Sequence, residues 1–283
     1  MKQKRVAAIH DISGVGKCSL TVALPILSVA GLECCPLPTA VLSNHTGGFK
    51  NFTFKDLTDE MLPIVKQWQN EEISFDAIYS GYLGSFKQVD ILCEIIDTLK
   101  GENTMVLVDP VMGDHGALYK SFDKDFPRKM LSLCKKADVI TPNITEACLM
   151  LGMEYKKPPY NKEYIETLLK GLTKICSGDI VLTGVCFDEN RLGAAAVSKG
   201  EIFYCFGDKI DGIYHGTGDV FASVLSAALL KDCALKRAVE AAVSFTCMSI
   251  KNTKENYSEL WYGVNFEEVL PKLPELLGGN YGR

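Results

Sequence analysis

Short apolar runs, each closed by polar residues, alternate along the chain with longer segments whose apolar residues recur every three or four positions. The runs RVAAIHD, FDAIYSG, TMVLVDPVMGD, DVITPN and DIVLTG predict buried strands. The segments SLTVALPILSVAG, TDEMLPIVKQWQN, FKQVDILCEIIDTLK, DFPRKMLSLCKKA, TEACLMLG and KEYIETLLKGLTKIC predict helices. Gly31 closes the first of these, and Pro25 predicts a kink or register shift inside it. LECCPLPTAVLSN reads as extended, broken by Pro36 and Pro38. RLGAAAVSKGEIFYCFG reads as a hairpin turning at Lys199-Gly200. Helical patterns finish the chain: GDVFASVLSAALLK, ALKRAVEAAVSFTCMSIK and FEEVLPKLPELL.

Apolar strands alternating with helices predict β-α-β units, hence an α/β protein with a mostly parallel sheet covered on both faces. No long linker, internal repeat or low-complexity segment divides the chain, so residues 1–283 are expected to form one domain. Ligands of open parallel sheets bind beyond the carboxyl ends of the strands. The polar segments HD, SNHTGG, SGYLG, DPVMGD, TPNITE and TG all fall at such ends. Their convergence along one edge predicts an enzyme.

Composition narrows the choice. The 283 residues are 47% apolar, enough for a large core, and the net charge is −5. Without a basic surface or tail, nucleic-acid binding is not expected. No apolar run approaches the ~20 residues of a membrane helix, and the apolar start ends too early for a signal peptide. A cytoplasmic protein without membrane contact is expected. The 11 cysteines contain no C-x-x-C, and several sit inside apolar runs. They read as buried, reduced thiols, and the four unpaired histidines give no zinc spacing.

HDISGVGKCSL, residues 10–20, resembles a Walker A loop but lacks two working parts. Asp11 stands where the first glycine belongs, and Cys18 where a Mg²⁺-binding hydroxyl belongs. It is therefore expected to be a Gly-rich strand-to-helix turn that does not hold a nucleotide, and Lys17 reads as a solvated or capping cation. HGTGDVFASVLSAALL is a different anion site. Gly216, Thr217 and Gly218 precede an apolar helical face, so unpaired N–H groups and the helix dipole would meet an anion there. Asp219 at this terminus could accept a proton from an attacking hydroxyl, with the N–H groups favouring its ionised form. Asp at a helix start is equally an ordinary helix-terminal residue. DPVMGD carries Asp109 and Asp114, and ITPNITE carries Thr141, Asn143 and Glu146. Such oxygen donors suit Mg²⁺. The TPN segment reads just as well as a turn and helix cap supplied by Asn143 or Thr145.

VLSNHTGG, SGYLGS, VDPVMGD, ADVITPNITEA and GTGD, in this order and spacing, resemble the pyridoxal kinases of the ribokinase-like superfamily over nearly the whole chain. The resemblance implies a three-layer α/β/α fold with a small β flap. It also implies MgATP-dependent phosphorylation of the 5′-hydroxymethyl group of pyridoxal, pyridoxine or pyridoxamine. It assigns Asp219 as catalytic base and Gly216, Thr217 and Gly218 as the anion hole. Asp109, Thr141, Asn143 and Thr183 match ATP-side positions, with Asp109, Asp114 and Glu146 near the metal and K⁺ or Na⁺ as a possible companion ion. His45, Thr46 and Tyr82 match the pyridine pocket. Family members commonly place a serine where this chain has Asp11. A carboxylate there could pair with a protonated ring nitrogen or accept from a ring hydroxyl, and Ser13 could substitute by a small shift. Family members are usually homodimers, and VLSNHTGGFKNFTFKDL is the expected flap and dimer contact. The alternatives are a hydroxymethylpyrimidine kinase, a sugar kinase of the same superfamily, and a non-catalytic B6-binding protein.

Overall fold

Most of the predicted runs fold as one element close to their expected bounds. The computed structural model describes residues 2–257 and 259–278. In chain order the elements are β1 (Arg5–Val15), α1 (Leu20–Val29), β2 (Glu33–Asn44), β3 (Phe54–Asp56), α2 (Thr58–Asn70), β4 (Ala77–Ser80), α3 (Phe86–Leu99), β5 (Met105–Val108), β6 (Gly113–Asp114) and β7 (Ala117–Leu118). Then come α4 (Phe126–Cys134), β8 (Val139–Ile140), α5 (Ile144–Leu151), α6 (Lys162–Leu172), β9 (Asp179–Val185), β10 (Arg191–Ser198), β11 (Glu201–Asp208), α7 (Thr217–Leu230) and α8 (Leu235–Asn256). A 3-10 turn (Glu267–Lys272) leads into α9 (Leu273–Leu276).

The main sheet has the order β11-β10-β9-β8-β5-β4-β1-β2-β3. Strands β2 through β9 in this order run parallel; β3 at one edge and β10 and β11 at the other run antiparallel. The period-2 alternation of β1 sends Ala7 and Ile9 to one face and Val6 to the other. Helices α2 to α6 cover the first face, while α1, α7 and α8 cover the second. The result is the mostly parallel α/β/α fold expected of the ribokinase-like class. The flap is the antiparallel β2–β3 pair, where Leu42 faces Phe54 and Ala40 faces Asp56.

Four local expectations change. First, β1 does not stop at Asp11 but runs to Val15, so the turn into α1 is only residues 16–19. Second, β2 passes through Pro36 and Pro38 unbroken. The N–H of Glu33 donates toward β1 at Lys4, so alternation turns the N–H positions of 36 and 38 toward the edge, where β3 has not yet joined. Third, FEEVLPKLPELL is a 3-10 turn plus one α turn, because Pro271 and Pro274 withhold the N–H donors a longer helix needs. Fourth, DPVMGDHGALY contains an unexpected hairpin, β6–β7, with Asp114 paired to Ala117.

Candidate active site

The strand order reverses at β1: the chain leaves it for β2 and β3 on one side and returns through β4, β5, β8 and β9 on the other. Such a switch point opens a crevice beyond the strand ends. At the mouth of this crevice β1 and β2 slip by one residue: His10 pairs with Pro38, but Ile12 pairs with Val41. The slip falls at Asp11, which is 5% exposed. Its Oδ1 accepts the hydroxyl of Ser19 at 2.6 Å and its Oδ2 that of Ser13 at 3.1 Å. Burial raises its pKa and the two hydroxyls oppose that rise.

The start of α7 lies against the same turn. Gly216 has φ 76°, and a Cβ there would fall 1.8 Å from the Lys17 carbonyl oxygen, so glycine alone permits the approach. No side chain caps α7, which leaves its first-turn N–H groups at Thr217, Gly218 and Asp219 free for an anion. Asp219 was expected to be held ionised by these groups. Instead burial dominates and pushes its pKa up to about 7; the Ser19 N–H facing it favours the charged form, while Asp11 disfavours it.

The third part of the site follows β5, β8 and β9. Asp109 is 7% exposed, and its pKa lies well above the carboxylate range through burial, then Glu146, then Asp219. The buried Thr141 hydroxyl lies beside it and opposes that rise. Asn143 and Glu146 close a capping box on α5, so the turn-and-cap reading of this segment describes them. The N–H of Asn143 donates to Glu146 Oε2 at 2.8 Å and that of Met112 to Oε1 at 3.1 Å. Burial nevertheless pushes the Glu146 pKa up to about 8. Asn143 Nδ2 donates to the Gly113 carbonyl at 2.9 Å, tying the β6–β7 hairpin to α5. Asp114 is exposed on that hairpin and accepts the N–H of His115, so it lies at the rim. Thr183, in β9, bridges to Asn143.

Among the described residues no three His, Cys, Asp or Glu side chains converge as a ready ligand set. The donors that do meet fit Mg²⁺, which keeps several waters and takes one or two carboxylates plus phosphate oxygens. Asp109 and Glu146 form a pair of buried carboxyl groups that burial holds toward their protonated forms, and the Thr141 hydroxyl lies beside Asp109; a bound cation would favour their ionised forms. Glu146 already spends both oxygens on backbone N–H groups, so its share would pass through water.

On the far side, His45 and Thr46 follow β2 and Tyr82 follows β4. The His45 ring lies 5.5 Å from that of His215, and burial followed by His215 lowers its pKa. Thr46 is exposed. Tyr82 is half-buried; burial raises its pKa, and Asp11 adds to the rise. Phe49 in the flap packs tilted against Trp261, with ring centres 4.6 Å apart, and its ring centre lies 6.0 Å from that of Tyr262. A groove of about 990 Å³ lies between β11 and α8, lined by Phe206, Asp208, Asp211, Val243, Cys247 and Lys251. The loop leaving this groove runs directly to Gly216.

Sequence reasoning missed three participants. Ser19 carried no signal beyond its place before an apolar helix. His215 stands next to the GTGD segment but matches no helix or strand period. Trp261 lies in a segment without periodicity and reaches the flap only through the tertiary fold.

A covered parallel sheet, a glycine-led helix start with free N–H groups and a carboxylate in its first turn define a small-molecule kinase of ribokinase-like fold. Residues 24–260 match the phosphomethylpyrimidine kinase family, and the chain belongs to that family. It is similar to a Bacteroides thetaiotaomicron protein provisionally assigned as a phosphomethylpyrimidine kinase and crystallised with pyridoxal. Identity is 39% over 96% of each chain, and the TM-score is 0.91. It is similar to the pyridoxal kinase of Lactobacillus plantarum, at 30% identity over 97% of this chain and 98% of that one, with TM-score 0.89. The pyridoxal kinase of Arabidopsis thaliana is 28% identical over 265 residues, covering 89% of this chain and 82% of its own.

Proposed function

We propose that this protein phosphorylates the 5′-hydroxymethyl group of pyridoxal, pyridoxine or pyridoxamine with ATP. One observation carries the reading: Asp219 sits in the uncapped first turn of α7, facing the substrate-side Asp11. Phosphoryl transfer needs an oriented hydroxyl, a proton acceptor and neutralised phosphate oxygens. Asp219, with a pKa of about 7, accepts the proton of the attacking hydroxyl near neutral pH. The N–H groups of Thr217, Gly218 and Asp219, the first admitted by Gly216, receive the charge of the transferring group. Asp11, Ser13, His45, Thr46 and Tyr82 line the ring side.

The groove between β11 and α8 suits the nucleoside, and Thr141, Asn143 and Thr183 stand between it and Asp109. Mg²⁺ held by Asp109, with Glu146 and Asp114 through water, would neutralise phosphate charge, and K⁺ or Na⁺ near Thr183 would add to it. The chain works as one domain and pairs as a homodimer through the flap, where Val41, Phe52 and Phe54 are exposed. Eleven free thiols fit a reducing cytoplasm.

ATP consumption with Mg²⁺ and K⁺ tests the reading, with the three vitamers and hydroxymethylpyrimidine offered separately. Pyridoxal 5′-phosphate formation supports it. A preference for the pyrimidine moves the chain to that branch of the family. Vitamer binding without turnover leaves a binding protein.

A further inference from the structure

Ser19 combines two features that its sequence does not announce. Its backbone lies at φ 52° and ψ −133°, a region that side chains rarely occupy and glycine adopts freely. Strain of this kind persists only where the surroundings over-determine it, and it clusters at functional sites. In this backbone geometry Ser19 is 5% exposed, its hydroxyl donates to Asp11 Oδ1 at 2.6 Å, and its N–H faces the Asp219 carboxylate. Ser13 occupies the other Asp11 oxygen at 3.1 Å. Two hydroxyls therefore orient the buried acid, and one of them is borne by the residue whose N–H faces Asp219.

We propose that Ser19 is a positioning residue: its strained backbone aims its hydroxyl at Asp11 so that this carboxylate meets the substrate ring in register with Asp219. Resting on the B6 reading of the site, this makes Asp11 the group that Ser19 acts through. An ordinary helix-start serine would cap its own helix, but Ser19 makes no side-chain cap bond to α1. Its hydroxyl is spent on a residue eight positions earlier.

The test uses Ser19→Gly, which adopts the observed backbone without strain and removes the side chain with its hydroxyl. Asp11→Ala and the double variant complete a cycle. The readouts are the KM for pyridoxal, the KM for ATP, kcat, and the Kd for pyridoxal by calorimetry. A hydrogen bond to a charged group supports an expected rise of about tenfold in pyridoxal KM and Kd for Ser19→Gly, with ATP KM within about twofold. In the Asp11→Ala background the same substitution should change neither constant by more than about twofold, since the acceptor it acts through is gone. A purely structural serine would instead give equal effects in both backgrounds, and that result overturns the proposal, as does an unchanged Kd in the single variant. Ser19→Ala, which keeps the strain, checks folding by its melting temperature. Wild-type protein that binds pyridoxal without phosphorylating it would sink the kinase reading and leave the Kd cycle to decide this inference. Wild-type protein that does not bind pyridoxal sinks both.

Discussion

Lys17 Nζ lies 2.6 Å from both carboxylate oxygens of Glu267 and 5.7 Å from the centre of the Phe266 ring. The lysine of the apparent Walker motif is therefore committed to the C-terminal segment. The loop that carries it meets α7 through its carbonyl oxygen instead. Removing the charge with Lys17→Met is expected to leave the ATP KM within about threefold, whereas a phosphate-gripping lysine would cost far more. Glu267 is about half exposed, so stability should fall by no more than about 1 kcal/mol. Steady-state kinetics and urea unfolding check both numbers, and a large rise in ATP KM would contradict this assignment.

Asp219→Ala should lower kcat by about 10²–10⁴-fold, the range of a lost acid–base group. Calorimetry should show pyridoxal still bound. Because burial holds the Asp219 pKa at about 7, kcat/KM of the intact enzyme should fall as pH drops through 7, about tenfold per unit below it. A profile flat from pH 5.5 to 8 would remove Asp219 from the role of base.

The main strands and most helices were legible because burial on one or two faces writes a period into the chain. The α5 start was legible too: Asn143 and Glu146 keep the three-residue spacing of a capping box. The Gly-rich segment before α1 was not. Its shape depends on a one-residue slip between β1 and β2 and on a left-handed serine, neither of which alters composition. The Asp219 pKa was misread for a similar reason. Helix-start N–H groups are visible in sequence, but what outweighs them is burial in the tertiary fold and the Asp11 carboxylate brought from β1. Trp261 reaches Phe49 across more than 200 residues, a contact no local pattern encodes.

The capping box makes a stability prediction. Asn143→Ala removes the acceptor for the Glu146 N–H and the donor to the Gly113 carbonyl. The loss should be about 1–2 kcal/mol in chemical unfolding. It should also loosen residues 113–118, read as faster amide exchange there than in β8. A variant as stable as the parent would show that the box is solvated rather than structural.

Asp109 is the buried acid proposed to hold Mg²⁺ directly. Asp109→Asn should raise the Mg²⁺ concentration needed for half-maximal rate, or the ATP KM, by at least about tenfold, because one charged oxygen ligand is lost. Pyridoxal Kd should stay within about twofold. An isothermal titration of MgATP separates this from a loss of folding, and unchanged metal dependence would move the metal site away from β5.

The same acids set how free-protein stability responds to pH. Burial raises Asp219 to about 7 and Glu146 to about 8 in the folded chain, against ordinary unfolded values near 4. Between about pH 4 and 8 the folded state thus holds protons that the unfolded state has released. Stability must then fall as pH rises across that window, the reverse of a salt-bridged carboxylate. From pH 6 to 8 the decline should be on the order of 4 kcal/mol without ligand, since each retained proton contributes about 1.4 kcal/mol per pH unit. Asp219→Asn should flatten part of the slope. Mg²⁺ with nucleotide should flatten more, because cation charge beside Asp109 and Glu146 favours the ionised acids. Urea unfolding at pH 6, 7 and 8, with and without MgADP, reads the slope directly. A free protein more stable at pH 8 than at pH 6 would mean that these carboxylates are solvated and ionised, and the acid limb expected for kcat/KM would have to arise elsewhere.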